Sequence, residues 1–155
     1  SELVIEDVEP AAGPRPIAEV REYTLQCLDW LVEQGVKILV IACNTVSAVA
    51  LDVVQKHARV PVVGVILPGA AAAMQTSGRR RIGIIGTHAT VNSGAYVHAI
   101  RDLAPDVHTV SAACPLFVPL AEEGWVDHQA TRLIAKEYLF PLTLDKIDTL
   151  ILGCT

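Results

Sequence analysis

Four cysteines, at positions 27, 43, 114 and 154, offer the most reactive side chains in this 155-residue sequence. Two of them share one local grammar. Residues 37–45 and 148–155 each run from a charge through an apolar stretch and a small residue to Cys and then Thr, as Cys43-Asn44-Thr45 and Cys154-Thr155. A Cys where a strand hands over to a helix faces unpaired backbone N–H groups and the positive end of the helix dipole. Such surroundings lower a thiol pKa and favour the thiolate. They also hold carboxylates well. Asn44 and Thr45 add side-chain donors at the same point. A single buried Cys is more often a small core hydrophobe, but two in matching contexts put a chemical role on an equal footing.

Two thiols facing one cavity suit the inversion of a carbon that bears an acidic hydrogen. A single base tends to return the proton to the face it left. One thiolate and one thiol on opposite faces avoid this without a cofactor, and they exchange roles when the direction reverses. The carbanionic intermediate needs N–H and hydroxyl donors around its carboxylate, which threonines can supply.

The remaining residues of chemical interest read as ordinary structure. Cys27 lies on the apolar face of an amphipathic stretch, and Cys114 precedes Pro115 at the end of a weak strand candidate. No CxxC is present, so the cysteines read as reduced thiols rather than a secreted disulfide framework. The five histidines lack zinc-type spacing, which leaves a metal site without support, and only His88, beside Thr87, stands near a candidate site. Residues 83–86 form neither GxGxxG nor a Walker loop and read as a tight strand-to-helix turn. Arg79, Arg80 and Arg81 suit a solvated turn.

Elements must bring the two strand-end cysteines together. Apolar runs at 37–43, 60–67, 81–87 and 148–154, bounded by Gly, Pro or charge, suit strands covered on both faces. Residues 107–113 and 2–8 are weaker strand candidates. Helical spacing over 16–34, 46–57, 68–76, 92–103 and 127–139 fits between them, with Gly35 as a stop, Asp127 as an N-cap and Pro141 beyond the last helix. Alternation of buried strands and helices predicts an α/β fold of two similar lobes, with mainly parallel sheets flanked by helices and a cleft between them. The polar, basic stretch 75–81 sets the boundary near residue 78, giving lobes 1–78 with Cys43 and 79–155 with Cys154. In open α/β sheets, ligands bind at the carboxyl ends of the strands.

Composition narrows the partners. With 52% hydrophobic and 19% charged residues the chain is globular rather than disordered. A net charge of −5 argues against a general nucleic-acid binder, and no apolar run approaches the ~20 residues of a membrane span. The sequence starts at Ser1 without Met and stops just after an apolar run, which suggests a piece of a longer protein.

Five ordered blocks, at 40–51, 60–70, 81–96, 114–124 and 149–155, resemble bacterial glutamate racemases of the cofactor-independent aspartate/glutamate racemase superfamily. The resemblance implies a cytoplasmic, cofactor-free interconversion of L- and D-glutamate that supplies peptidoglycan synthesis. It implies Cys43 and Cys154 as the acid/base thiols, with Asn44, Thr45, Thr155 and Gly13 holding substrate. Thr87 and Thr90 are implied as donors from the second lobe, and Glu122 as an acidic residue behind the site. Three features depart from the family. Its opening strand and glycine-rich loop, with an Asp-Ser pair, and the His after Gly-Cys-Thr are absent, and Ala12 stands where it has Tyr. Little or no turnover is therefore expected from this chain by itself, and open sheet edges favour homo-oligomers. The alternatives are a non-catalytic homologue that keeps the cleft for binding, or another racemase of the superfamily, such as one for aspartate.

Overall fold

The computed structural model describes residues 15–154. The candidate strand at 2–8, Gly13 and Thr155 lie outside the described residues. Five parallel strands form two sheets with helices between them.

The first sheet pairs β1 (Leu39–Ile41) with β2 (Val62–Gly64), register Val40↔Val63. Before it runs α1 (Ile17–Glu33), ended by Gly35 at φ 80°, a left-handed geometry that glycine adopts without strain. Leu28 of α1 packs with Ile41, Val49, Ala50 and Val54 into one apolar cluster. The span 46–57, expected as one helix, is two: α2 (Asn44–Val49) and α3 (Leu51–His57). Ala50 leaves helical geometry at φ −131°, and the Val49 carbonyl accepts a hydrogen bond from Arg21 Nε at 2.7 Å. Strand β2 is shorter than the apolar run 60–67, because Ile66 and Leu67 already belong to α4 (Ile66–Thr76). Pro68 sits in the first turn of α4, where no intrahelical N–H is needed. Apolar character alone does not separate a buried strand from a buried helix start.

The second sheet has β3 (Arg81–Gly86) at its centre, between β4 (His108–Ala113) and β5 (Thr149–Gly153). Both faces are covered, as the unbroken apolar run of β3 demands. On one side Ile82, Ile84 and Ile151 pack with Ile66, Ala70 and Ala73 of α4 and with Tyr96, Ala99 and Ile100 of α6 (Ala95–Leu103). On the other, Ile85 and Cys114 meet Leu142 of α8 (Gln129–Leu144), with Phe117 of α7 (Phe117–Glu122) alongside. Coverage on both faces does not extend to the first sheet, where the cross-strand pair Val40 and Val63 is 60% and 43% exposed.

Three helix boundaries differ from expectation. A short helix, α5 (His88–Ser93), precedes α6, and Gly94 at φ 66° makes the corner between them. His128, not Asp127, caps α8, its ring Nδ1 accepting the Ala130 N–H at 3.1 Å. Asp127 instead faces Arg132 at 3.8 Å, fully in solvent. Helix α8 also runs on through Pro141. Proline there deprives the Glu137 carbonyl of its helical donor, and both residues are exposed at that point. Among the described residues no helix is long and apolar enough to cross a membrane.

Candidate active site

Parallel strands put all their carboxyl ends on one side, and three of those ends meet here. Strand β1 ends at Ile41, and Cys43 follows as the N-cap residue of α2, with extended backbone and an exposed side chain. Strand β3 ends at Gly86, and Thr87 follows as the N-cap residue of α5, its hydroxyl accepting the Thr90 N–H at 3.2 Å. Strand β5 ends at Gly153, and Cys154 follows directly.

Hydroxyls join the first two ends. Thr45 Oγ1 lies 2.9 Å from Thr87 Oγ1 and 3.2 Å from Thr90 Oγ1, and the last two are 3.1 Å apart. This triangle links the first turn of α2 to the first turn of α5. Asn44, beside Cys43, is buried, and its Oδ1 accepts a 2.6 Å hydrogen bond from Tyr96 Oη. Ser47 fastens α2 from behind: its hydroxyl donates to the Ile41 carbonyl at 2.9 Å and accepts the Val65 N–H at 3.2 Å.

The thiols sense one another. Partial burial pushes the Cys154 thiol above its ordinary pKa, and the charge of Cys43 pushes it further. At Cys154 this reverses the lowering expected of a strand-end cysteine. Desolvation penalises the thiolate, and a second thiolate nearby repels it. Cys154 also borders a cavity of about 310 Å³, together with Thr87, Cys114, Phe117, Val118 and Leu152. The walls of this cavity are mostly apolar.

Of the residues singled out from sequence, Cys43, Asn44, Thr45, Thr87, Thr90 and Cys154 gather at this edge. Glu122 is exposed at the last position of α7, whose Val118 and Ala121 line the cavity while Glu122 does not. His88 is exposed at the start of α5. Cys114 is a buried wall of the cavity, its thiol raised by desolvation. Cys27 is half-buried on α1. Tyr96 and Ser47 are the contributors that sequence reasoning missed. Tyr96 acts on the Cys43 loop from a distance in sequence, whereas Ser47 lies on α2 itself, and the only available signal for Tyr96 was its place at the end of the 81–96 block.

Comparison with known proteins gives the family. A family model described as Asp/Glu/Hydantoin racemase matches residues 3–155. Glutamate racemase from Geobacter metallireducens is 48% identical over 143 residues, covering 92% of this chain and 53% of that protein. Among solved structures, glutamate racemase isoform RacE1 from Bacillus anthracis superposes with a TM-score of 0.88 at 38% identity, covering 94% of this chain and 55% of that one. Glutamate racemase from Francisella tularensis, solved in complex with D-glutamate, gives 0.85 at 39% identity, over 93% of this chain and 54% of that one. The chain spans about half the length of the curated relatives it matches. A match across nearly the whole sequence, with the same α/β architecture, makes this chain a member of the Asp/Glu/hydantoin racemase family.

Proposed function

We propose that this protein interconverts L- and D-glutamate, without a cofactor, through Cys43 and Cys154. The thiolate of one cysteine removes the α-proton from one face of the amino acid. The thiol of the other delivers its own proton to the opposite face. The carbon is inverted, and the two sulfurs end in exchanged protonation states, ready for the reverse direction. Asn44, Thr45, Thr87, Thr90 and Thr155 serve as donors to the substrate's carboxylates, with Gly13 beside them and Glu122 behind the site. Electrostatic stabilisation of the carbanionic intermediate comes from these fixed donors.

The observation that carries this reading is the meeting of Cys43 and Cys154. Each stands at the carboxyl end of a parallel strand of a different sheet, and the charge of one is felt by the other. A raised thiol at Cys154 beside Cys43 favours the state the chemistry needs, with one thiolate and one thiol. Glutamate as substrate rests on the relatives' names and on the D-glutamate bound in one of them. We further place the protein in the cytoplasm, as a source of D-glutamate for peptidoglycan, with lobes at 1–78 and 79–155. The separate sheets β1–β2 and β4–β3–β5 support two lobes, although α4, from the first span, packs on the sheet of the second.

Exchange of the α-hydrogen in deuterated water, followed for each enantiomer with Cys43→Ser and Cys154→Ser, tests the mechanism. Each variant is expected to lose exchange mainly with one enantiomer. Undiminished exchange from both enantiomers in both variants would sink the two-thiol reading.

A further inference from the structure

Tyr96 stands between the two cysteine-bearing loops and touches the neighbour of each. Its hydroxyl donates to Asn44 Oδ1, and Asn44 directly follows Cys43. Its ring edge lies against Gly153, which directly precedes Cys154: a Cβ added to Gly153 would come within 3.5 Å of Tyr96 Cε2. The hydroxyl occupies a slot kept open by a third element. A Cβ on Gly69 of α4 would approach to 3.0 Å of Tyr96 Oη and 3.1 Å of Cε1. Tyr96 is 4% exposed and Asn44 6%, so water does not compete for the bond between them. The ring is anchored in the apolar cluster with Ala70, Ala99, Ile100 and Ile151.

A buried residue so placed has two consequences. The Tyr96 hydroxyl donates to Asn44 Oδ1 and so holds the amide with its N–H₂ end away from the ring. In addition, one rigid ring spans the route from the Cys43 loop to the Cys154 strand end, so the distance between the sulfurs depends on it. We propose that Tyr96 is a positioning residue for the thiol pair: it locks the Asn44 amide and sets the separation of Cys43 and Cys154. Hydrogen bonding fixes the first loop, and ring contact fixes the second. The catalytic meaning of that separation rests on the racemase reading above, but the separation itself does not.

The experiment measures geometry and activity separately. The full chain, its Tyr96→Phe variant and its Gly69→Ala variant are treated with a short bifunctional thiol reagent. Peptide mapping follows the rate at which Cys43 and Cys154 become bridged, beside the rate of single alkylation of each. Loss of one buried hydrogen bond corresponds to about a threefold to tenfold change in a conformational equilibrium. Both variants are therefore expected to bridge more slowly by about that factor, with single alkylation within about twofold of the parent. Gly69→Ala acts by crowding the hydroxyl from its slot, and any loosening of the fold by that crowding shows as a change in single alkylation. Unchanged bridging in both variants overturns the proposal, as does slower bridging accompanied by an equal change in single alkylation. α-Hydrogen exchange from glutamate is followed in parallel. Exchange that proceeds while bridging ignores Tyr96 removes this inference and leaves the racemase reading standing; bridging that depends on Tyr96 supports the inference whether or not exchange is seen.

Discussion

The hydroxyls of Thr45 and Thr87 lie 2.9 Å apart, so the helix that follows β1 is tied side chain to side chain to the helix that follows β3. Thr90 closes the triangle at 3.2 and 3.1 Å. Three hydroxyls have three protons, enough for each to donate once around the ring. Under the proposed function, a hydroxyl that turns to donate to the substrate's carboxylate opens one side of the triangle, so the groups that link the two helices are also the ones the substrate would recruit.

Thr45→Val removes two sides of the triangle and keeps the shape of the side chain. A net loss of about 0.5–1.5 kcal/mol per bond is ordinary for such contacts, so a fall of about 1–3 kcal/mol in unfolding free energy is expected. Denaturant midpoints at constant slope measure it. Thr90, almost wholly buried, keeps its bonds to Thr87 in this variant, which limits the damage. A midpoint equal to that of the parent would show that the triangle contributes nothing to joining the two sheets.

Cys154 is expected to titrate late. Desolvation raises its pKa first and the charge of Cys43 second, so the rate of its alkylation climbs only at a pH above that of an ordinary thiol. Cys43→Ser removes the second cause and leaves the first. The alkylation profile of Cys154 should then move to lower pH without reaching that of an exposed thiol. A profile that stays in place after Cys43→Ser would mean that the two sulfurs are too distant to interact. Linkage has a definite sign here. A folded pKa above the unfolded one contributes stability that is present below the unfolded value and lost as pH rises through the folded value.

Much of this arrangement is legible in the chain itself, for a physical reason. Residues 82–86 are apolar and small without a break, a pattern that suits a strand buried on both faces, as β3 is. The repeated Cys-Thr endings mark strand ends because a thiol and a small hydroxyl suit the crowded handover from strand to helix. Helix boundaries are less legible. Asp127 and His128 are adjacent and both able to cap, and which one does so depends on where Trp125 and the turn before α8 settle, with the Trp125 carbonyl accepting the His128 N–H at 3.1 Å. The roles of Tyr96 and Ser47 are invisible locally. Each bonds to a residue that the fold alone brings near, and a tyrosine on an apolar helix face reads as core from sequence. Thr155 and Gly13 gain no structural account, since they lie outside the described residues.

Gly153→Ala tests how tightly the end of β5 is built. A Cβ at this position would come within 2.5 Å of the Ile85 carbonyl oxygen, a backbone atom that cannot swing aside. Gly86, its register partner on β3, is similarly close to Gly153 from the other strand, with 3.0 Å between its would-be Cβ and the Gly153 oxygen. Overpacking of this kind costs about 1–3 kcal/mol and forces backbone shifts. Gly153→Ala should lower the thermal midpoint and displace Cys154 with it, whereas Gly78→Ala, where a Cβ meets nothing within 4 Å, serves as the control. Equal midpoints for the two variants would show that the strand end is looser than its contacts require.

Asp148 opens β5 and gives the fold a pH dependence of known sign. The Ser77 hydroxyl donates to its carboxylate at 2.7 Å, and the Arg79 backbone N–H and guanidinium lie against it as well. These donors, Ser77 foremost, hold the carboxyl below its usual range. A depressed folded pKa contributes stability above the unfolded value, about 3.9 for Asp, and that contribution is lost as pH falls through the folded value. Unfolding midpoints taken from pH 7 downward should therefore fall below about pH 4, and fall less steeply in Asp148→Asn. Some slope must remain in that variant, because His108, with Arg81, holds Asp145 below its usual range in the same direction. If Asp148→Asn reproduces the parent's acid profile throughout, the contact between the end of α4 and the start of β5 is not what anchors the strand that carries Cys154.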